Sequence, residues 1–260
     1  MSERNDALLK SQYHQAEDYF FSSISLNHTH YADRAAAYLT GVNSESLNPL
    51  IIRCTGAESD SDLRAGIGLF DAAGQLFSVA VPDDALDTID NQLLACGLAA
   101  VYQTTAMYLV MDDFTPHHSS ISAGDGAIIT RTDDNLIDWV LPLESAFEGT
   151  PELTVEYRLR HQAALDRNRQ FAHFSLYSEN RPVCSLTLTM DHQIARLDDI
   201  GTQEAFQGRG YASALIQHAL MHARLNNTKL CFLEASVQGA GLYQKAGFKN
   251  LFGYTAYQRQ

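Results

Sequence analysis

Gln207-Gly208-Arg209-Gly210-Tyr211-Ala212 stands between a run that alternates like a strand, Ile194 to Thr202, and a strongly amphipathic helix, Tyr211 to Leu225. Few arrangements restrict a chain as much. Leu215, Ile216, Ala219, Leu220 and Ala223 share one helical face, so the helix has to lie on a sheet. The two glycines before it let the backbone turn tightly and bring successive N–H groups around one point. The helix adds its unpaired N-terminal donors and the positive end of its dipole. Together these make a phosphate cradle that needs no metal, to which Arg209 adds a charge-assisted contact.

A strand, a glycine loop and a helix in this order also open Rossmann and P-loop sites. The GxGxxG spacing is absent, because Tyr211, Ala212 and Ser213 follow Gly210, and the Gly-Lys-Ser/Thr of a P-loop is missing too. By itself the glycine pair also reads as a plain tight turn.

The rest of the chain reads as α/β. Residues 1 to about 25 predict a helix, Leu50 to Arg53 a short strand after Asn48-Pro49, and Gln75 to Val81 a strand stopped by Pro82. A helix from about Asp84 to Cys96 ends at Gly97 and leads into a strand over 99 to 111. Leu63 to Leu69 is apolar but broken by glycine, and its type stays open. Asp112 to Asp125 is polar and contains proline and glycine, as a linker would. Beyond it come a strand at Ala127 to Arg131, helices over 135–147 and 155–168, and a hairpin of Phe171–Tyr177 with Val183–Met190. Leu230 to Ala235 is a strand, Gly239 to Ala246 a short helix ended by Gly247, and Phe248 to Tyr257 a last strand.

Ser236-Val237-Gln238-Gly239-Ala240-Gly241-Leu242-Tyr243-Gln244-Lys245-Ala246-Gly247-Phe248 follows the strand after the glycine loop. Here the sequence resembles the GNAT superfamily of N-acyltransferases. Their phosphate loop, Gln/Arg-x-x-Gly-x-Gly/Ala, is matched by Gln207, Gly210 and Ala212, and their Tyr-x-x-x-Gly-Phe by Tyr243, Gly247 and Phe248. Two positions depart from the pattern: Ser236 stands for the usual Asn and Gly239 for the usual Ala. The resemblance spans roughly residues 125 to 257.

It implies an α/β (α+β) domain at 126–260 with a mixed, splayed β-sheet flanked by helices, after a linker at 116–125. The cofactor it implies is acetyl-CoA or a related acyl-CoA. The pyrophosphate would sit on the N–H groups from Gly208 to Ala212, with Gln207, Arg209, Tyr211 and Ser236 beside it or along the pantetheine arm. That arm would follow the strand ending at Ile200 to Thr202, where backbone groups near Ile200 polarise the thioester carbonyl. Tyr243 would protonate the leaving thiolate. Residues 1–115 lack both motifs; their strand, helix, Cys-Gly-Leu and final strand resemble the degenerate first copy of a tandem GNAT protein, and this half is not expected to bind CoA.

An amine acceptor arrives as an ammonium of pKa near 10 and has to lose a proton. Asp198, Asp199, Glu204 and Glu234 are the nearest carboxylates, with Asp198 and Glu234 the leading candidates. Alternation puts Asp198 on the face of Ile200 and Thr202 and turns Asp199 away. His161, His173 and His192 are near the domain, and nothing selects among them. His28, His30, His117 and His118 read as polar loop residues, since no Cys, Asp or Glu stands at ligand spacing, and no metal is expected.

The balance of 31 acids to 18 bases, net −13, disfavours nucleic acid and favours a cationic acceptor. Cys54, Cys96, Cys184 and Cys231 form no CxxC pair and suit buried thiols in a reducing compartment. The N-terminus lacks an apolar signal core and no stretch reads as a membrane span, so the expected location is the cytoplasm. The expected activity is acetyl-CoA-dependent N-acetylation of a primary amine on a small molecule or protein. A catalytically silent CoA-binding regulatory module is the alternative. Acceptor identity and oligomeric state are not written in the sequence.

Overall fold

The structure, a computed structural model, describes residues 3–56, 58–116 and 126–260. Its first half contains α1 (Glu3–Ile24), β1 (Asn27–Tyr31), β2 (Ala35–Leu39), β3 (Pro49–Ile52), α2 (Ser59–Ala73), β4 (Ser78–Pro82), α3 (Leu86–Ala95) and β5 (Leu98–Val110). The second contains β6 (Ile128–Arg131), α4 (Leu136–Ala146), α5 (Pro151–Asp166), β7 (Phe171–Ser178), β8 (Arg181–Asp191), β9 (Ile194–Thr202), α6 (Tyr211–Leu225), β10 (Leu230–Ser236), α7 (Ala240–Lys245) and β11 (Lys249–Arg259). Among the described residues no helix is long and apolar enough to cross a membrane.

Local chemistry explains several of these boundaries. Glu179 and Asn180, both at positive φ (51° and 61°), make the tight turn of the β7–β8 hairpin. Pro151 opens α5, and Thr150 Oγ1 accepts the Leu153 N–H at 3.3 Å. The ambiguous stretch at 63–69 is helical. Gly66 is needed there because a Cβ would lie 2.6 Å from a methyl of the buried Leu50. His28 and His30, read as loop residues, lie instead in β1, where His30 hydrogen-bonds Asp18 at 2.5 Å. Cys184 and Cys231 are buried as expected, but Cys54 is exposed. His117 and His118 and most of the linker stretch lie outside the described residues.

All the described strands form one sheet in the order β1-β2-β3-β4-β11-β5-β10-β9-β8-β7-β6. This order contains an internal repeat. β3–α2–β4 and β9–α6–β10 are both parallel pairs joined through a helix. Each is followed by a short helix and a long strand, β5 or β11. Those last strands change places: β5 pairs with β10, β11 with β4, and the two pair antiparallel from Leu98↔Arg259 to Tyr108↔Lys249. An approximate two-fold axis therefore runs between β5 and β11. The sheet does not stop at the boundary drawn from the sequence, since β5 sits inside the sheet of the second half.

Alternate side chains separate the two faces. Cys231, Leu233 and Ala235 of β10 join a core with α6 and with Tyr243 of α7. Phe232, between them, meets Tyr13 of α1 edge to face at 5.8 Å. α4 and α5 stand with α1, through Trp139, Val140, Tyr157, Phe20 and Ile24. In the first half Leu50 and Ile52 face α2 while Ile51 faces α1, so α2 lies on the same side as α6.

A sheet shared in this way couples the stability of the two halves. Phe70→Ala, which empties a buried ring stacked on Phe77 at 5.0 Å, should cost about 3–5 kcal/mol. Trp139, the one tryptophan, belongs to the other half. Its fluorescence should lose its denaturant midpoint by as much as the far-UV signal does. A Trp139 transition that stays in place would show that the halves unfold separately.

Candidate functional site

β9 and β10 are paired only from Ile194↔Leu230 to Leu197↔Leu233. Beyond that point they part, although β9 continues to Thr202 and β10 to Ser236. A cleft of about 610 Å³ opens there, lined by Ile200, Thr202, Gln207, Gly208, Gly210, Tyr211, Ala212, Ser236 and Tyr243 among others. Nine of the residues that the sequence assigned to the cofactor thus surround one space.

At its mouth Gly208 and Gly210 have φ of 75° and 80°, a region that costs other residues strain. Gly210 caps α6 without any side-chain hydrogen bond, and no acid stands in the first helical turn. The helix start therefore keeps its free N–H groups and positive dipole end for an anion. Tyr211 contributes backbone only, because its ring is buried and its hydroxyl lies 3.3 Å from that of Ser178. Arg209 does not line the cleft; its guanidinium lies over Phe206 at 5.0 Å and donates to the Ala205 carbonyl. Gln207 Nε2 donates to the Thr202 carbonyl at 3.2 Å.

The two departures from the family pattern are in contact. Ser236 Oγ accepts the Gly239 N–H at 3.1 Å. A Cβ on Gly239 would lie 3.3 Å from that oxygen and 3.2 Å from the Tyr243 ring, tighter than ordinary contact. Serine turned inward thus goes with glycine. Tyr243 is nearly buried, and burial, then the charges of Asp198 and Cys184, pushes its hydroxyl up to about 12. It keeps its proton at neutral pH.

Across β9 lies a second cavity, of about 600 Å³, and Phe147 lines both. Phe20, Phe21, Leu47, Val140 and Leu143 give it apolar walls, while Glu45, Glu144, Glu148, Asp198, Asp199 and Glu234 face it with Arg196. Six carboxylates thus meet a single guanidinium. Asp199, which alternation turned away, is in this cavity beside Asp198. It has a φ of +53°, and β9 covers Asp198 to Gly201 while β8 advances only from Ser185 to Thr187. This bulge breaks the alternation, leaving Asp198 and Asp199 in the acidic cavity and Ile200 and Thr202 in the cleft. Glu204 is exposed in a turn and lines neither.

The buried carboxylates differ in their partners. Asp198 takes Arg196 Nε at 2.9 and 3.1 Å, and burial, opposed by that cation, pushes it up to about 6. Burial also raises Glu234, which accepts from Thr104 at 2.5 Å and from Tyr13 at 3.2 Å. Asp199 has no cation of its own. It accepts the Tyr157 hydroxyl at 2.6 Å, and burial, then the Asp198 charge, pushes it up to about 7. Sequence reasoning missed Tyr157, Arg196 and the acids of the α4–α5 corner, which only the fold brings together. Among the described residues no group of His, Cys, Asp and Glu is placed to hold a metal.

Residues 135–248 match the model of the Acetyltransferase (GNAT) family. That stretch is a GNAT domain. No curated protein matches the chain in sequence. Among solved structures, a GCN5-related N-acetyltransferase from Kribbella flavida is similar with a TM-score of 0.68 at 13% identity, covering 95% of each chain. One from Sphaerobacter thermophilus has a TM-score of 0.63 at 14% identity, over 86% of this chain and 76% of that one. A tandem GNAT protein from the clavulanic acid biosynthesis pathway has a TM-score of 0.59 at 11% identity, over 86% and 78%. At such identities the likeness speaks for the fold alone, and it extends beyond the GNAT domain into the first half.

Arg196 holds the acidic side of the GNAT domain together. Its guanidinium is buried between Asp198 and Glu234, 2.9 and 3.9 Å away. Arg196→Met should destabilise the fold by about 3–5 kcal/mol by leaving buried carboxylates unpaired. Their pKa values would rise further above the unfolded ones. The deficit should therefore be largest near pH 8 and shrink towards pH 5, where protonation removes the uncompensated charge. Urea unfolding across that range measures it; a loss that does not change with pH would contradict this account.

Proposed function

We propose that this chain transfers the acetyl group of acetyl-CoA to the amine of a cationic acceptor. The observation that carries the reading is the pair of spaces on either side of β9: a cleft with a helix-capped glycine cradle and Tyr243, and an acid-lined cavity that meets it at Phe147. The cleft suits acetyl-CoA on the chemistry of its donors, which are unpaired N–H groups at the start of α6 for a pyrophosphate and separated strand edges for an amide-bearing arm. Bound acetyl-CoA supplies the thioester that the amine attacks.

The protein's own groups do the rest. Asp198, Glu234 and the acids at the rim draw the ammonium in, while the apolar walls hold the body of the acceptor. Asp199 takes the proton from the ammonium, because Arg196 is bound to Asp198 and reaches towards Glu234, which leaves Asp199 with only the Tyr157 and Thr187 hydroxyls. The Tyr243 hydroxyl, still protonated and lining the cleft, would supply the proton for the leaving thiolate. The first half, with its repeated topology, is read as a degenerate GNAT copy. It closes the sheet edge and lends α1 to the acceptor cavity through Phe20 and Phe21.

Thermal unfolding with and without acetyl-CoA is the first test, with NAD and ATP as controls. A ligand at a hundred times its dissociation constant stabilises by about 2.7 kcal/mol, so the melting point should rise with acetyl-CoA alone. Gly210→Asp, which adds strain and a negative charge to the cradle, should abolish the rise. No shift in the wild type at millimolar acetyl-CoA would overturn the proposal. A shift with no turnover of any amine would make the chain a silent CoA-binding module.

Turnover should also carry a pH signature. The base works as a carboxylate, so kcat/KM should fall as the pH drops through about 7. Asp199→Asn should lower kcat by about a hundredfold or more and remove that limb. Tyr243→Phe should lower kcat while leaving the acetyl-CoA melting shift intact. An unchanged limb in Asp199→Asn would move the base elsewhere.

A further inference from the structure

Asp199, His161, His173 and Asp133 stand in single file from the acceptor cavity to the surface. His161 Nε2 is 3.7 Å from Asp199 Oδ2, His161 Nδ1 is 2.8 Å from His173 Nε2, and His173 Nδ1 is 2.8 Å from Asp133 Oδ1. Both imidazoles are fully buried, packed against Trp139 at 4.3 and 4.7 Å and against Phe171 at 5.6 and 5.8 Å. Burial, and for His161 also the neighbouring His173, holds both below the usual histidine range, so they are neutral near pH 7.

A neutral imidazole has one donor and one acceptor nitrogen, so fixing one end of such a row fixes every tautomer in it. Asp133 fixes the outer end. Although burial pulls the other way, hydrogen bonds from the His173 side chain and backbone hold it below the usual range, as does Arg131. A carboxylate only accepts, so His173 must carry its proton on Nδ1 and present a bare Nε2. His161 must then donate from Nδ1, which leaves its own Nε2 bare. That nitrogen faces Asp199 Oδ2, and neither buried atom has a hydrogen-bond partner. As two lone pairs they repel; with a proton on Oδ2 they become an O–H···N pair. The other oxygen of Asp199 is already taken by the Tyr157 hydroxyl.

We propose that Asp133, His173 and His161 form a tautomer-locked chain that positions Asp199 as the base of this site. The inference rests on the acetyl-transfer reading and deepens it. A lone pair presented to the protonated form raises the proton affinity of Asp199, whereas Arg196 favours the charged form of Asp198 next to it. Two adjacent carboxyls are thereby given different tasks. In turnover an N–H bond of the acceptor ammonium breaks and an O–H bond forms at the Asp199 carboxyl, with the nitrogen keeping the electron pair. The new O–H donates to His161 Nε2, no bond in either imidazole breaks, and the proton leaves through the cavity after the product. The three chain residues are positioning residues and do not touch the acceptor. The other charged or titratable groups that face Asp199 or share its cavity are Asp198 and Arg196 from β9, Tyr157 from α5, Glu234 from β10, Glu144 and Glu148 from the α4–α5 corner, and Glu45 from the loop before β3.

The test begins without substrate. Nitrogen-15 NMR of histidine side chains in the full-length protein, assigned by His161→Phe, should show His161 and His173 neutral at pH 7 with the proton on Nδ1. An Nε2–H tautomer or an imidazolium at either position would overturn the chain. In kinetics, His161→Phe retains an aromatic ring in the cage and removes the lone pair. The acid limb of kcat/KM should then move to lower pH by about one unit, with the acetyl-CoA melting shift unchanged. Asp133→Ala, at the outer end, should free the tautomers and move the limb the same way even if His161→Phe folds poorly. A limb that stays in place in folded variants would leave the chain a packing feature only. Absence of any turnover, or an unmoved limb in Asp199→Asn, would instead refute the functional reading and leave the NMR result to decide the chain.

Discussion

The site depends on two strands that stop pairing with each other and yet each keep a partner on the far side. β10 leaves β9 after Leu233 and should fray, because a strand with one open edge and no partner has nothing to hold its backbone. It is held by β5, which pairs with it along its whole length, from Val110↔Leu230 to Thr104↔Ser236. On the other side β8 holds β9 out to Cys184↔Thr202. The cleft is therefore a gap between two supported edges whose facing N–H and C=O groups have no strand partner. β5 comes from the first half of the chain. A strand belonging to one repeat thus props open the site of the other, and the exchange of β5 and β11 is what lets it reach.

Below the gap the problem is charge. Asp198, Asp199 and Glu234 share a small volume with one guanidinium, and a buried carboxylate without compensation is costly. Arg196 is committed to Asp198 in close geometry and reaches Glu234 only at 3.9 Å. Glu234 makes up the difference with two hydroxyl donors. Asp199 has only hydroxyls, those of Tyr157 and Thr187, and the bulge that gives it a positive φ is the local strain that puts it there. The least compensated acid is thus the one free to change its protonation state, and it stands next to the point where β9 enters the cleft.

Much of this was legible in the sequence, and the part that was not has a physical reason. Gly208 and Gly210 were legible because a positive φ and a free helix start are local requirements, whereas Gln207, Ser236 and Tyr243 came from the resemblance to the family's motifs; the fold sets all five around one cleft. The hairpin at Glu179-Asn180, like the two glycines, was legible from a local requirement. Period-two alternation misled at Asp198, which it set on the face of Ile200 and Thr202 and which lies instead with Asp199 across β9, since one extra residue in the strand shifts the alternation and the run Arg196-Leu197-Asp198-Asp199-Ile200 gives no mark of it. The exchange of β5 and β11 joins residues more than a hundred positions apart, which composition and periodicity do not register. His161 and His173 looked like any two histidines until α5 and β7 brought their rings to 2.8 Å.

The repeat also shows why one half carries the site. The loop after β3 and the start of α2 correspond to the phosphate loop and the start of α6, but they are built to opposite effect. Asp60 and Asp62 occupy the first turn of α2, and Arg34 reaches in to bind Glu58 and Asp62 at 2.6 and 2.7 Å. The positive end of that helix is therefore answered by its own carboxylates, which would repel a pyrophosphate. β3 and β4 stay paired from Pro49↔Ser78 to Ile51↔Ala80, nearly the whole of the shorter strand. The first half has kept the topology, which supplies β5 and α1 to its partner, and lacks the two local features that would make a second cradle. Such a division is stable because the retained elements are those the other half cannot do without: β5 supports the wall of the cleft, and α1 forms part of the acid-lined cavity.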